Sequence, residues 1–102
     1  MTLVELEKTL QKTRNYQYIM RVGVFGSYAR GDVWEESDLD ILIDYDNSSD
    51  ECTNQMGQLM EDIETVFTGK IDYITLNGLM KSKNEEFREE VLRDVKWIYS
   101  KG

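Results

Sequence analysis

Histidine and proline are absent from the 102 residues, and cysteine occurs once. No apolar run approaches the roughly 20 residues of a membrane-spanning helix. Each absence removes a class of function. Without histidine there is no imidazole acid–base chemistry and no histidine metal ligand. A lone Cys52 allows no intramolecular disulfide and no cysteine-rich zinc site. The opening residues Met1-Thr2-Leu3-Val4-Glu5 do not read as a signal peptide, and a soluble, cytoplasmic protein with no membrane partner is expected. A further absence is local. Between Gly31 and Gly69 there is no lysine or arginine, while twelve acids fall there. The net charge of -8 disfavours direct nucleic-acid binding, which relies on basic surface. An acidic field concentrates divalent cations and attracts a basic partner, although Asp50, Glu61, Asp62 and Glu64 read more simply as solvated surface. The length suits one domain, residues 1–102, with one modest core.

The informative stretch runs from Val22 to Asp44, VGVFGSYARGDVWEESDLDILID. Val22 to Phe25 ends an apolar strand, read as Ile19 to Phe25, and Gly26-Ser27 follows it. A strand that stops at Gly-Ser and passes into a helical turn, Ser27 to Arg30 with Gly31 closing it, leaves backbone N–H groups free to meet phosphate. Ten residues later, Asp38 and Asp40 head a second strand, read as Asp38 to Tyr45. At i and i+2 they point to one face, with Leu42 and Asp44, while Leu39, Ile41 and Ile43 point to the other. Adjacent carboxylates repel unless a cation lies between them, and Mg²⁺ prefers one or two carboxylates completed by phosphate and water. A phosphate cradle beside a metal seat reads as a site for a nucleoside triphosphate. Two neighbours keep alternatives open. Arg30 either helps neutralise phosphate or pairs with Asp32 or Glu35. Trp34 reads as a plug at the edge of the core, with stacking on a base or partner as the alternative.

Gly26-Ser27, ten residues, then Asp38-x-Asp40 resembles the signature of nucleotidyltransferases with a DNA-polymerase-beta-like fold. The fuller string GSYARG…SDLD is similar to the minimal nucleotidyltransferases, often the antitoxin half of a pair whose toxin is a HEPN-domain protein. The resemblance implies an α/β domain of that fold, with a mixed sheet of three to four strands and helices packed mainly on one face. It implies Asp38, Asp40 and Asp72 as catalytic and metal-binding acids holding two Mg²⁺ ions. Gly26, Ser27 and, less directly, Arg30 would bind the nucleotide. It further implies transfer of AMP from ATP to a hydroxyl, tyrosine first, of a HEPN-type toxin. Relatives that modify antibiotics or RNA carry further domains for the acceptor, so an acceptor site borrowed from the partner is expected. A non-catalytic antitoxin that blocks by binding, and a catalytic subunit acting on a small molecule or RNA, are the alternatives.

The remaining elements follow from periodicity. Leu3, Leu6 and Leu10 define one face of a helix over residues 2–15, opened by a Thr2-x-x-Glu5 capping box. Gly23 marks close backbone approach in the first strand. Met56, Leu59, Met60, Ile63, Val66 and Phe67 keep helical spacing after a second box, Ser48-x-x-Glu51, with Gly69 placed to stop that helix. Lys70 to Leu76 reads as a third strand whose apolar pattern Asp72 interrupts. Beside the second strand, Asp72 joins Asp38 and Asp40; at a sheet edge, it pairs with a basic residue instead. A turn over Asn77 to Lys83 precedes a third box, Ser82-x-x-Glu85, a helix lined by Phe87, Val91 and Val95, and a short strand near Lys96 to Tyr99.

Overall fold

In the computed structural model the described residues are 3–13, 16–33 and 38–101. Thr2, Glu35 and Trp34, on which three of the expectations above fall, lie outside them. The elements run α1 Leu3–Thr13, β1 Ile19–Phe25, α2 Ser27–Arg30, β2 Leu39–Tyr45, α3 Glu51–Glu64, β3 Ile71–Thr75, α4 Leu76–Met80, α5 Glu85–Asp94 and β4 Lys96–Ser100. The four strands form one mixed sheet in the order β3-β2-β1-β4. β1 is antiparallel to both β2 and β4, and β2 is parallel to β3. A parallel neighbour requires a crossover, and α3 supplies it. Among the described residues no helix is long and apolar enough to cross a membrane.

The alternation of each strand divides the molecule into two layers. Leu39, Ile41 and Ile43 of β2 and Val22 and Val24 of β1 bury one face against Leu6 and Leu10 of α1 and Leu59 and Ile63 of α3. Each such side chain contributes roughly 1.5–3 kcal/mol by leaving water. On the opposite face Phe25 and Leu42 form a smaller buried cluster with Leu79 of α4 and Val91 of α5. The helices are thus weighted to one face, as expected. On the second face Gly23 is required by contact: a Cβ there would strike Val95 and the Trp97 ring. Arg21 lies over that ring, 4.0 Å from its centroid, and pairs with Asp44 at 3.0 Å.

Three local expectations fail. Ser48 and Ser82 do not cap. The turn before α3 spends Asp46 Oδ1 on the Ser48 N–H and Ser49 Oγ on the Glu51 N–H, so the helix begins after Asp50, whose side chain makes no cap bond. Before α5, Ser82 Oγ accepts from Asn84, and Asn84 Oδ1 caps the helix by accepting from Phe87 N–H at 3.1 Å. Gly69 is not a left-handed cap. Thr65 ends α3 in the right-handed region, its hydroxyl donating back to the Asp62 carbonyl, and only Gly26 and Gly31 among the described glycines have positive φ.

Candidate active site

Gly26 leaves β1 at φ 71°, ψ −150°, a backbone region open essentially to glycine alone. That conformation turns the chain sharply into α2. Gly31, at φ 81°, closes the turn as a left-handed cap, and the Ser27 carbonyl accepts from Asp32 N–H at 2.9 Å. The N–H groups of Ser27 and Tyr28 precede the first turn's own bonds, which run from Ala29 and Arg30 to the Gly26 carbonyl.

Strand register then sets acids beside this turn. Phe25 is opposite Asp40 in the antiparallel pair, and Asp40 is opposite Asp72 in the parallel one. Both carboxylates therefore project from the second face at one end of the sheet. Gly26 touches this arrangement directly, because a Cβ built on it would fall on Asp40 Oδ2. The cavity there has a volume of about 480 Å³ and is lined by Phe25, Gly26, Arg30, Asp40, Asp72, Tyr73, Ile74, Phe87, Glu90, Val91 and Asp94. Four residues expected from sequence thus share one cavity. Asp38 and Ser27 do not line it. Asp38 sits just before β2, where Lys70 Nζ approaches its carboxylate at 3.7 Å.

The electrostatics are those of an unrelieved carboxylate cluster. Asp40 and Asp72 form no ion pair among the described residues, whereas Asp44, farther along the same face, is held by Arg21. Burial raises the pKa of Asp40 first, and the charges of Asp72 and then Asp38 raise it further, against weaker opposition from Arg30 and Lys70. A cation bound among these oxygens would remove that repulsion. Among the described residues no group of three or more acidic or cysteine side chains is placed so that it could hold a metal ion. Mg²⁺ does not ask for such a group, since it takes one or two carboxylates and fills the rest of its shell with phosphate and water. An all-oxygen, partly open donor set fits that ion. Tyr73 in the wall is no base near neutrality: burial, aided by Glu64, pushes its phenol up to about 12.

Arg30 takes the ion-pair alternative, with Asp94 as a second partner beside Asp32. Its Nε meets Asp32 at 3.0 Å and its Nη1 meets Asp94 at 3.5 Å, yet it still lines the cavity. Periodicity does not mark the α5 wall as part of the site. It places Phe87 and Val91 on a helix face, and the one signal is Asp94, an acid at a helix C-terminus where the dipole disfavours it.

Residues 6–102 match the polymerase beta nucleotidyltransferase family. The chain belongs to that family. Among curated relatives of this nucleotidyltransferase, a Methanocaldococcus jannaschii chain named provisionally as a protein adenylyltransferase is 33% identical over 82 residues, 76% of this chain and 82% of the relative. The protein adenylyltransferase MntA of Thermococcus cleftensis is 29% identical over 102 residues, 96% and 97% of the two chains. A solved structure described provisionally as a minimal nucleotidyltransferase matches with TM-score 0.68 and 28% identity, covering 94% of this nucleotidyltransferase and 95% of that chain. Two more distant structures share the fold. One is a toxin–antitoxin with AMP-PNP, at TM-score 0.63, 18% identity and coverage of 99% and 75%. The other is a tri-AMPylated Shewanella oneidensis HEPN toxin with its MNT antitoxin, at TM-score 0.58, 17% identity and coverage of 98% and 74%.

Proposed function

We propose that this nucleotidyltransferase, acting as one domain over residues 1–102, transfers AMP from ATP to a hydroxyl, tyrosine first, of a HEPN-type toxin in the cytoplasm. Its role is that of an antitoxin. The observation that carries the reading is the cavity in which Gly26, Arg30, Asp40 and Asp72 meet. The names of the full-length relative and of the AMPylated HEPN neighbour support the choice of AMP and of a protein acceptor. The AMP-PNP complex supports a nucleoside triphosphate as the donor.

In this reading Gly26 and Ser27 receive the triphosphate through backbone N–H groups and a hydroxyl, and Arg30 offsets its charge. Asp38, Asp40 and Asp72 would hold two Mg²⁺ ions, which would supply charge neutralisation for the triphosphate and a more acidic attacking hydroxyl. The acceptor oxygen attacks the α-phosphorus in line, the bond to the bridging oxygen breaks, and pyrophosphate leaves. Asp72 takes the hydroxyl proton. The acidic surface from Gly31 to Gly69 suits a basic partner, which supplies the acceptor site.

Incubating the protein with ATP, Mg²⁺ and a molar excess of candidate toxin tests this. The toxin should gain whole AMP masses and stay inactive once the antitoxin is removed. Inhibition that needs equimolar protein, ignores ATP and survives the double change Asp38→Asn with Asp40→Asn would instead establish a blocking antitoxin. AMP found only on RNA or a small molecule would move the acceptor elsewhere.

A further inference from the structure

Asp94 ends α5, 64 residues beyond Arg30, yet its carboxylate closes the ion pair that holds that guanidinium at the cavity. The placement is locally unfavourable. A helix C-terminus carries partial negative charge, and an acid there is repelled. Compensation comes from two arginines: Asp94 Oδ1 accepts from Arg93 Nε at 3.1 Å, and Oδ2 faces Arg30 Nη1 at 3.5 Å. The hydrogen bond from Arg93 holds the Asp94 carboxyl below its ordinary pKa, with Arg30 adding to it and desolvation opposing.

The two carboxylates on Arg30 are not equivalent. The Asp32 side chain is 65% exposed and the Asp94 side chain 14%. Water and salt screen the first pair far more than the second. Asp32 is the nearer partner, at Nε, and Asp94 the more sheltered one, at Nη1, while Nη2 hydrogen-bonds none of the described residues. A guanidinium held at Nε and Nη1, in a cavity wall shared with Gly26 and Asp40, keeps Nη2 as its remaining donor for an anionic oxygen.

We infer that Asp94 is a positioning residue that, through Arg30, orients the uncommitted Nη2 amino group toward the phosphates of the bound nucleoside triphosphate. The inference rests on the nucleotide reading above. It also gives α5 a part in the site beyond covering the sheet.

MgATP titrated by calorimetry, together with steady-state AMP transfer, tests it. Asp94→Asn should weaken MgATP binding and raise KM for ATP roughly tenfold, with kcat changed less. Asp32→Asn, at the screened partner, should change either by no more than about twofold. Asp94→Glu should recover most of the loss. In an Arg30→Gln background, Asp94→Asn should add almost nothing, since the interaction it serves is already gone. A purely structural role for Asp94 predicts additive losses and a lowered melting temperature in either background, and that result overturns the inference. So does Asp94→Asn binding MgATP as tightly as, or more tightly than, the unaltered protein, because Asp94 would then be a competitor of phosphate. If the unaltered protein itself binds no MgATP, the nucleotide reading fails and the inference falls with it. Normal binding and transfer with an indifferent Asp94→Asn defeats the positioning role alone.

Discussion

The two faces of β2 differ by one residue of register and by everything else. Leu39, Ile41 and Ile43 are fully buried beneath α1 and α3. Asp40, between the first two, faces a cavity that α5 only partly walls, with Asp72 beside it. One face is saturated with contacts. The other holds Asp40 and Asp72, which form no ion pair among the described residues, although Asp44 on the same face is paired. Burial and unpaired charge thus ride on alternate residues of a single strand, with each assignment set by the pleat. The unpaired face is a local cost that the buried face offsets, as expected where charge is kept for a ligand.

That contrast can be broken in four ways. The largest effect is expected at the acids. Asp40→Asn, or Asp38→Asn, should lower AMP transfer about a thousandfold or more, measured as labelled AMP on the toxin, with an undiminished melting temperature. A comparable activity would remove these acids from the chemistry. On the other face, Ile41→Ala should cost about 2–5 kcal/mol in urea denaturation, while the protein that remains folded keeps its turnover. Loss of turnover in a still-folded variant would show that the faces are not separable. At the boundary between them, Gly26→Ala should cost about 1–3 kcal/mol of stability from the positive φ alone. Because the new methyl also displaces the Asp40 carboxylate, transfer should fall further than stability does. The smallest effect is in pH. Asp40 has a raised pKa in the folded metal-free protein, so the fold binds its proton more tightly than the unfolded chain does. Its contribution to stability is therefore present below the ordinary carboxylate pKa and is lost as pH rises through the raised value. Denaturation of metal-free wild type and Asp40→Asn across the acid range should show the wild type losing ground as pH rises through that window. Parallel curves would mean that Asp40 carries no such strain.

The strands and the central site were legible because their signals are local. Alternation in Ile19–Phe25 and Leu39–Tyr45 marks both strands, and the interruption of an apolar run singles out Asp72, whose place as a third acid is implied by the family resemblance. What escaped was set by competition or distance. Ser48 and Ser82 look like caps, but the neighbouring Asp46, Ser49 and Asn84 take the backbone donors first. Gly69 looked like a stop, yet α3 had already ended at Glu64. The pairing of Arg30 with Asp94 depends on α5 packing against the open face, which no spacing in the chain encodes. Only the awkward position of Asp94 hinted that it answers to something outside its own helix.

Parallel pairing of β2 with β3 has a consequence in time. Gly26 and Asp40 are brought together by an antiparallel neighbour close in sequence. Asp72 arrives only after residues 41–71 have been synthesised and α3 has packed its crossover. Such long-range closure is slow relative to local pairing. β3 is also an edge strand, and less enclosed strands open at lower free energy than central ones. The pairing of Asp72 with Asp40 is therefore assembled late in a newly made chain and loosens in a warming one ahead of the core beneath it.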